Sequence, residues 1–257
     1  SKNKQTATMF IPEGFKGDIV AWAVDNVEWE SDKKSPNGYI SENEEHHQNT
    51  ADIKIERPHT DRKDNKGRDL YNDTVELTVT VSDPQTGIRD VEWTAPDKNG
   101  GVDIDNEGGL TNRKGEDDKW TAEDSDKERN ILTKAVNKIQ ISKNDNGNEV
   151  NVLMHDYTGN IKSSKDEFSI DTLKPDIKVE GITESNTVQY FNTHKTAKVR
   201  IVERNFTAPV VNGSADTGFT HDPSTPEDAD TTAYIKDFNF NSDGRYKLDL
   251  TETDPAG

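Results

Sequence analysis

Cysteine is absent from the 257-residue chain, which excludes disulfides, thiolate nucleophiles, cysteine-ligated zinc and internal thioesters at once. Apolar residues are scarce: they make up 29% of the chain, against ~45–50% in an average globular domain, so any core is thin and built from small units. Positive charge is short as well, with 32 Lys and Arg against 50 Asp and Glu, and the resulting −18 repels nucleic-acid phosphate and anionic lipid. No run approaches ~18 apolar residues, and the opening SKNKQTATMF lacks the apolar stretch of a signal peptide. The expectation is therefore no membrane segment and no secretion signal within this piece. At roughly 100–200 residues per domain, the length suggests two domains with a partial third.

So polar a composition is also that of a disordered chain. The placement of the apolar residues argues otherwise. Val75, Leu77, Val79 and Val81 alternate with Glu76, Thr78 and Thr80, a period of two that puts one side in a core and the other in water. The same alternation returns at Val150, Val152 and Met154, at Ala197, Val199 and Ile201, and at Tyr246, Leu248 and Leu250. No dozen-residue stretch carries a comparable helical stripe; residues 122–139 come nearest and run straight into the alternating KIQIS. Short strands of Thr, Val and Ile joined by Asn, Asp and Gly turns predict an all-β fold of antiparallel β-sandwiches.

Three stretches share one plan of alternating strand, Gly-containing polar turn, second alternating strand and an Asp heading a tight turn: TATMFIPEGFKGDIVAWAVDN, NKIQISKNDNGNEVNVLMHDYTGN and KDFNFNSDGRYKLDLTETDPAG. Their aspartates are Asp25, Asp156 and Asp254, read as turn caps whose carboxylates accept backbone N–H groups two residues on, with calcium ligands between domains as the alternative. After the first two comes one more strand and a proline, ADIKIERP ending at Pro58 and DEFSIDTLKP ending at Pro175, where each proline opens the next unit. The expected division is 1–57, the closing part of a sandwich; 58–173, a sandwich with a long polar insertion at 96–129; and 174–257, a sandwich lacking its last strand. On that register the chain is a segment of a longer array.

IDTLKPDIKV, then YFNTHKTAKVRIVERNF, and later DGRYKLDLTETDPAG resemble the tandem bacterial immunoglobulin-like repeats of large Gram-positive surface proteins, especially those of gut anaerobes. The resemblance covers 170–257 well and 58–170 more loosely. For 1–57 it rests on the closing hairpin, and there VDNVEW replaces the expected Gly-Asn turn. It implies an extracellular location on a bacterial cell surface, neighbouring immunoglobulin-like domains in the same chain, and a role as stalk or adhesin toward a host protein such as mucin or immunoglobulin, or toward a glycan.

Motifs for catalysis are missing: there is no G-x-S-x-G, G-x-G-x-x-G, P-loop or H-E-x-x-H, and in EEHH (Glu44–His47) the adjacent histidines cannot share a helix face toward one metal. The expectation is no enzyme and no catalytic residues. His155 alternates with Met154 and so faces away from it, in a solvated or capping role. Calcium is the one cofactor worth weighing. Asp103, Asp105, Glu107 and Gly108 open like a calcium loop, yet position twelve is Lys114 in place of a bidentate Glu, so an acidic solvated loop is the better reading. Asn144-Asp145-Asn146-Gly147 reads as a hairpin turn, with Asn-Gly supplying positive φ. An intramolecular isopeptide bond, joining Lys178 or Lys54 to Asn160, is the other cross-link open to a cysteine-free domain.

Two polar stretches, 96–129 and 207–232, carry whatever specificity exists. The candidate binding residues within them are Trp120, Phe219 and His221. Trp120 is either a plug pinning its loop to the sandwich or a stacking platform for sugar or protein; Trp22 and Trp93 fall in alternating strands and belong to core or sheet face. A second reading makes the segment a carbohydrate-targeting accessory module of a secreted glycan-degrading enzyme, which predicts a row of exposed aromatics on one sheet face.

Overall fold

The computed structural model describes residues 50–257 apart from 106–107, 114–116 and 184–187. The first repeated stretch, with Trp22, Asp25 and the EEHH run, lies outside the described residues, as do Glu107 and Lys114 of the calcium-loop reading.

The chain is all-β, with no helix among the described residues, and four sheets enclose two separate cores. In the first pair, one sheet runs β1 (Asp52–Glu56), β3 (Val75–Ser82), β8 (Ile131–Ile141), β7 (Thr121–Asp126). The facing sheet runs β2 (Leu70–Tyr71), β10 (Ile161–Ile170), β9 (Asp145–Asp156), β4 (Ile88–Ala95), β5 (Lys98–Ile104), β6 (Leu110–Asn112). In the second pair, β11 (Asp176–Glu180), β12 (Lys195–Val202), β16 (Ala233–Phe240) and β15 (Thr220–His221) face β14 (Ser214–Ala215), β13 (Val210–Val211) and β17 (Leu250–Thr251). Every pairing is antiparallel except β2 with β10.

The alternating residues do what their period requires. Val75, Leu77, Val79 and Val81 on β3, with Val150, Val152 and Met154 on β9, are fully buried around Trp93 and Phe168. Ala197, Val199 and Ile201 on β12 are buried in the second sandwich. His155 turns to the side opposite Met154, where its Nδ1 lies 2.6 Å from Asp90. The segment 246–250 is the exception, since only Leu250–Thr251 is paired, and only toward β13.

Hydrogen bonding redraws the expected organisation in three places. The strand ADIKIE, read as the end of the first unit, pairs with β3 from Asp52↔Ser82 to Glu56↔Thr78, so the boundary at 57 falls inside one sheet. The two strands of the repeated stretch are not a paired hairpin: β8 and β9 lie in opposite sheets, as do β16 and β17. The connection between them crosses the sandwich, and each strand finds its partners elsewhere. The polar insertion 96–129 is no structureless loop either, because it forms β5, β6 and β7. Its polarity reflects sheet edges: Thr121–Ser125 on β7 are all exposed.

The turn readings fare differently. Asp156 accepts the Thr158 N–H at 2.9 Å and Asp254 the Ala256 N–H at 2.7 Å, each two residues on. Gly147 has the expected positive φ (74°), but it sits within β9 near a bulge opposite Phe168–Ile170 and not at a hairpin tip. The isopeptide pairing is not available: Lys54 and Lys178 are exposed on strand surfaces beside Glu56 and Asp176, while Asn160 is bound to Asp156. Among the described residues no lysine is buried, as that chemistry needs.

Candidate functional site: the junction between the sandwiches

The two sandwiches are joined by Asp171–Pro175, and the residues around this linker are the most polar of the buried set. Immediately after β12, the alternation of apolar side chains gives way to Glu203, Arg204 and Asn205, which are 3%, 4% and 2% exposed. Buried polar groups need partners, and these find them across the junction. Asn205 donates from Nδ2 to Asp171 Oδ2 (2.8 Å), and its Oδ1 accepts from Asn146 Nδ2 (2.9 Å). Arg204 reaches the Ile170 carbonyl at 3.3 Å and the Asn144 carbonyl at 3.2 Å, and pairs with Asp230. Asn144 in turn donates to Asp230 Oδ1 (3.0 Å) and accepts the Thr172 N–H (2.8 Å), so one side chain ties linker, first sandwich and second sandwich together.

A second group of contacts comes from the loop between β1 and β3. Asn65 and Lys66 both reach Asp228 at 2.6 Å, Arg62 donates to the Ala256 carbonyl, and Asn72 to the Gly257 carbonyl at 2.9 Å. This loop is itself held by Asp64, which is 6% exposed. Asp64 accepts from Ser169 Oγ (2.6 Å), Arg68 Nε (2.7 Å) and the N–H groups of Lys66 and Arg68. Burial disfavours its charge, but these donors outweigh burial and hold the carboxyl below its ordinary range.

The near end of the second sandwich gathers acids. Burial pushes the Glu203 carboxyl up to about 7, against the Asn205 N–H that stabilises its charge, and the neighbouring carboxylates Asp171, Asp254 and Glu252 push it further. Glu252 is raised to about 7 by burial, opposed by the backbone and hydroxyl of Thr207. Asp254 is raised too, by burial first. A cleft of about 200 Å³ opens beside them, lined by Asp171, Lys174, Asp176, Glu203, Arg204 and Asp230 among others. The arrangement can lock two bodies in one orientation and take up protons near neutral pH. Among the described residues no three His, Asp or Glu side chains are grouped so as to hold a metal ion. Of the calcium-loop acids, Asp103 is held by Arg113 (2.6 Å) and Asp105 accepts the Gly109 N–H (2.7 Å).

Set against protein-family models and against curated proteins, the chain matches none.

Asn144, Asn146 and Asp254, read from the sequence as turn residues, belong to this junction, whereas the candidate binding residues Trp120, Phe219 and His221 are not among its partners. Trp120 is 3% exposed and part of the first core, with its backbone N–H on Asn112 Oδ1 (3.0 Å); its indole face is not open to a ligand. Phe219, 8% exposed, packs in the second core against Phe206 and Phe238. His221 on β15 stands edge-on to Tyr234 at 5.8 Å. Phe219 and His221 are therefore neighbours in one sandwich and Trp120 is in the other. Among the described residues the open aromatics are Tyr190 (91% exposed), Phe191 and Tyr246, in loops outside the strands. Alternation does not mark Tyr190 and Phe191 and places Tyr246 in a strand, while the ERNF run after β12 shows in the periodicity as a break in the apolar alternation.

A larger cleft, about 340 Å³, lies at the edge of β5 over Gly100, lined by Glu92, Trp93, Arg113 and Asp118 among others. Its groups are mostly committed to one another: Arg113 to Glu92 and Asp103, and Asp118 Oδ1 to Trp93 Nε1 and the Gly101 N–H, both at 2.9 Å.

Proposed function

We propose that the chain is a non-catalytic spacer segment of a bacterial cell-surface protein, in which tandem immunoglobulin-like sandwiches hold an adhesive part of the molecule away from the cell. The observation that carries this reading is the junction: a five-residue linker whose flanking side chains, Asn205, Arg204, Asp171 and Asn144, are spent on fixing one sandwich against the next. A flexible tether would leave such side chains solvated. The acidic surface suits an extracellular rod that avoids self-association.

The absence of cysteine makes the test clean, because spin labels attach only where cysteine is introduced. Lys54→Cys and Lys198→Cys place one label on an exposed strand position of each sandwich. Pulsed electron–electron distance measurement should give one narrow distribution, broadening when Arg204→Ala and Asn205→Ala are combined. A broad distribution in the parent protein would remove the spacer reading.

One observation favours the second reading, a carbohydrate-targeting accessory module. Tyr190, Phe191 and Tyr246 are exposed, and Tyr246 lies against Phe240 at 4.9 Å between ring centroids. Aromatic faces in water suit the stacking of sugar rings. They lie in loops and not in a row on a sheet, which ranks this reading second. Glycan arrays decide it: binding of a polysaccharide or mucin glycan that disappears with Tyr190→Ala and Phe191→Ala would favour the accessory module, and an empty array the spacer.

A further inference from the structure

The first sandwich lies inside the chain, with residues before β1 and after β10, so tension along the chain enters it near Asp52 and leaves it at Ile170. The registers fix where those two points lie. Asp52 pairs with Ser82 at the end of β3, and β3 turns into Ile88 of β4. Ile88 pairs with Asp156 at the end of β9, which turns into the start of β10 at Ile161. The entry point is therefore at the same end of the sandwich as Ile161. The exit is at the opposite end, ten residues of strand away.

β1 runs from the entry end along antiparallel β3, and β2 runs the same way along parallel β10. A lengthwise pull thus draws β1 and β2 one way along their axes and β10 the other. Hydrogen bonds between such strands lie across the pull and are loaded together, whereas strands parted from one end lose theirs one at a time. The β2 patch is short: Leu70 and Tyr71 pair with Ser169 and Ile170. Two further bonds flank it, from the Ser169 N–H to the Asp69 carbonyl and from the Asp171 N–H to the Tyr71 carbonyl, both 2.8 Å.

Side chains lace the same two pieces together. Arg57 pairs with Asp166 and lies over the Phe168 ring at 5.5 Å, and its other guanidinium nitrogens hold Asp69 (2.7 Å) and the Tyr71 hydroxyl (3.1 Å). Tyr71 in turn stands edge-on to Phe168 at 5.8 Å. Arg68 reaches Glu167 at 2.7 Å, and the Ser169 hydroxyl donates to the buried Asp64 at 2.6 Å. Asp166, Glu167, Phe168 and Ser169, at the exit end of β10, are each tied to the stretch 57–71. We infer that the first sandwich is a load-bearing unit, in which residues 57–71 and the exit end of β10 form a clamp loaded in shear when the chain is stretched. This rests on the spacer reading, because a segment held between a cell and an adhesive end is pulled lengthwise.

Introduced cysteines serve as force handles in the full chain. Thr50→Cys with Lys174→Cys pulls the sandwich lengthwise. Thr50→Cys with Ile161→Cys pulls the same entry point against the near end of β10, so that the strands part from one end. Forced unfolding follows the rate of unfolding and not the equilibrium stability that both pairs share, so the lengthwise force should be at least about twofold higher at one pulling speed. Arg57→Ala combined with Arg68→Ala should remove most of that difference. Asp118→Ala, in the same sandwich and away from the clamp, should leave it in place. Equal forces in the two directions overturn the inference, and this comparison needs no weakened variant. A lengthwise force that falls as far with Asp118→Ala as with the two arginine changes overturns it as well, since the arginines would then act only through overall stability. The spin-label distances test the spacer reading separately: a narrow distribution together with equal forces removes the clamp and leaves the spacer standing.

Discussion

At the scale of single residues, the buried acids divide by what meets them. Asp83 accepts the N–H groups of Gln85 and Thr86 and the Thr86 hydroxyl, so it can sit 2% exposed at the β3–β4 turn. Asp118, 7% exposed, instead binds the wall of the core, anchoring the Trp93 indole and the edge N–H of Gly101. Asp118→Ala leaves both donors without a partner, at a cost of about 1–3 kcal/mol for each buried group stranded. Asp118→Asn keeps an acceptor and should recover most of that loss. Urea unfolding followed by tryptophan fluorescence measures both variants, and equal midpoints for Ala and Asn would contradict this role for the carboxylate. The aspartate turn caps were readable because an Asx turn is local chemistry. Trp120 was readable only as two alternatives, plug or stacking platform, and its burial in the first core, with its backbone N–H on Asn112, is a tertiary fact that no local pattern announces.

At the scale of elements, periodicity located the strands well and assigned them badly. Alternation tells which side of a strand is buried and is silent about which strand lies beside it. β8 and β9, adjacent in sequence, looked like a hairpin turning at Asn146-Gly147, yet Gly147 lies within β9 and the two strands lie in opposite sheets. The misplaced boundary at 57 had a remedy in the sequence: DIKIE at 52–56 nearly duplicates DIKVE at 176–180, and a strand that opens one sandwich should open the other. The polar insertion misled for a physical reason. An edge strand such as β7 has one neighbour and little burial, so its residues can be as hydrophilic as those of a loop. The junction residues were the least visible, because Arg204 and Asn205 find their partners across the junction and not within their own strand.

At the scale of the whole molecule, the two cores are unequal, and the raised acids sit with the weaker one. The first core joins Trp93, Phe168, Leu77 and many others; the second packs Val199, Ile201, Val211 and Phe219, with the small Ala197 and Ala233 also buried. The junction between them is hydrogen-bonded and not apolar, so it fixes orientation without merging the cores into one cooperative unit. Calorimetry should therefore resolve two transitions, the lower from the second sandwich, and Val199→Ala should lower only that one. Glu203 and Glu252 titrate near 7 when folded, against an ordinary value of 4.5. Between those values the folded chain holds more protons than the unfolded chain, so stability falls as pH rises through the window and grows as pH drops. Acidification from pH 8 to 5.5 should raise the lower transition and leave the upper one nearly in place, while Asp64 and Asp103, held below 3.8, oppose the trend only in stronger acid. Glu203→Gln should raise the lower transition at pH 8 and flatten its dependence on pH. A lower transition that falls on acidification, or that ignores Glu203→Gln, would mean that these carboxylates are solvated and ionised in the folded protein.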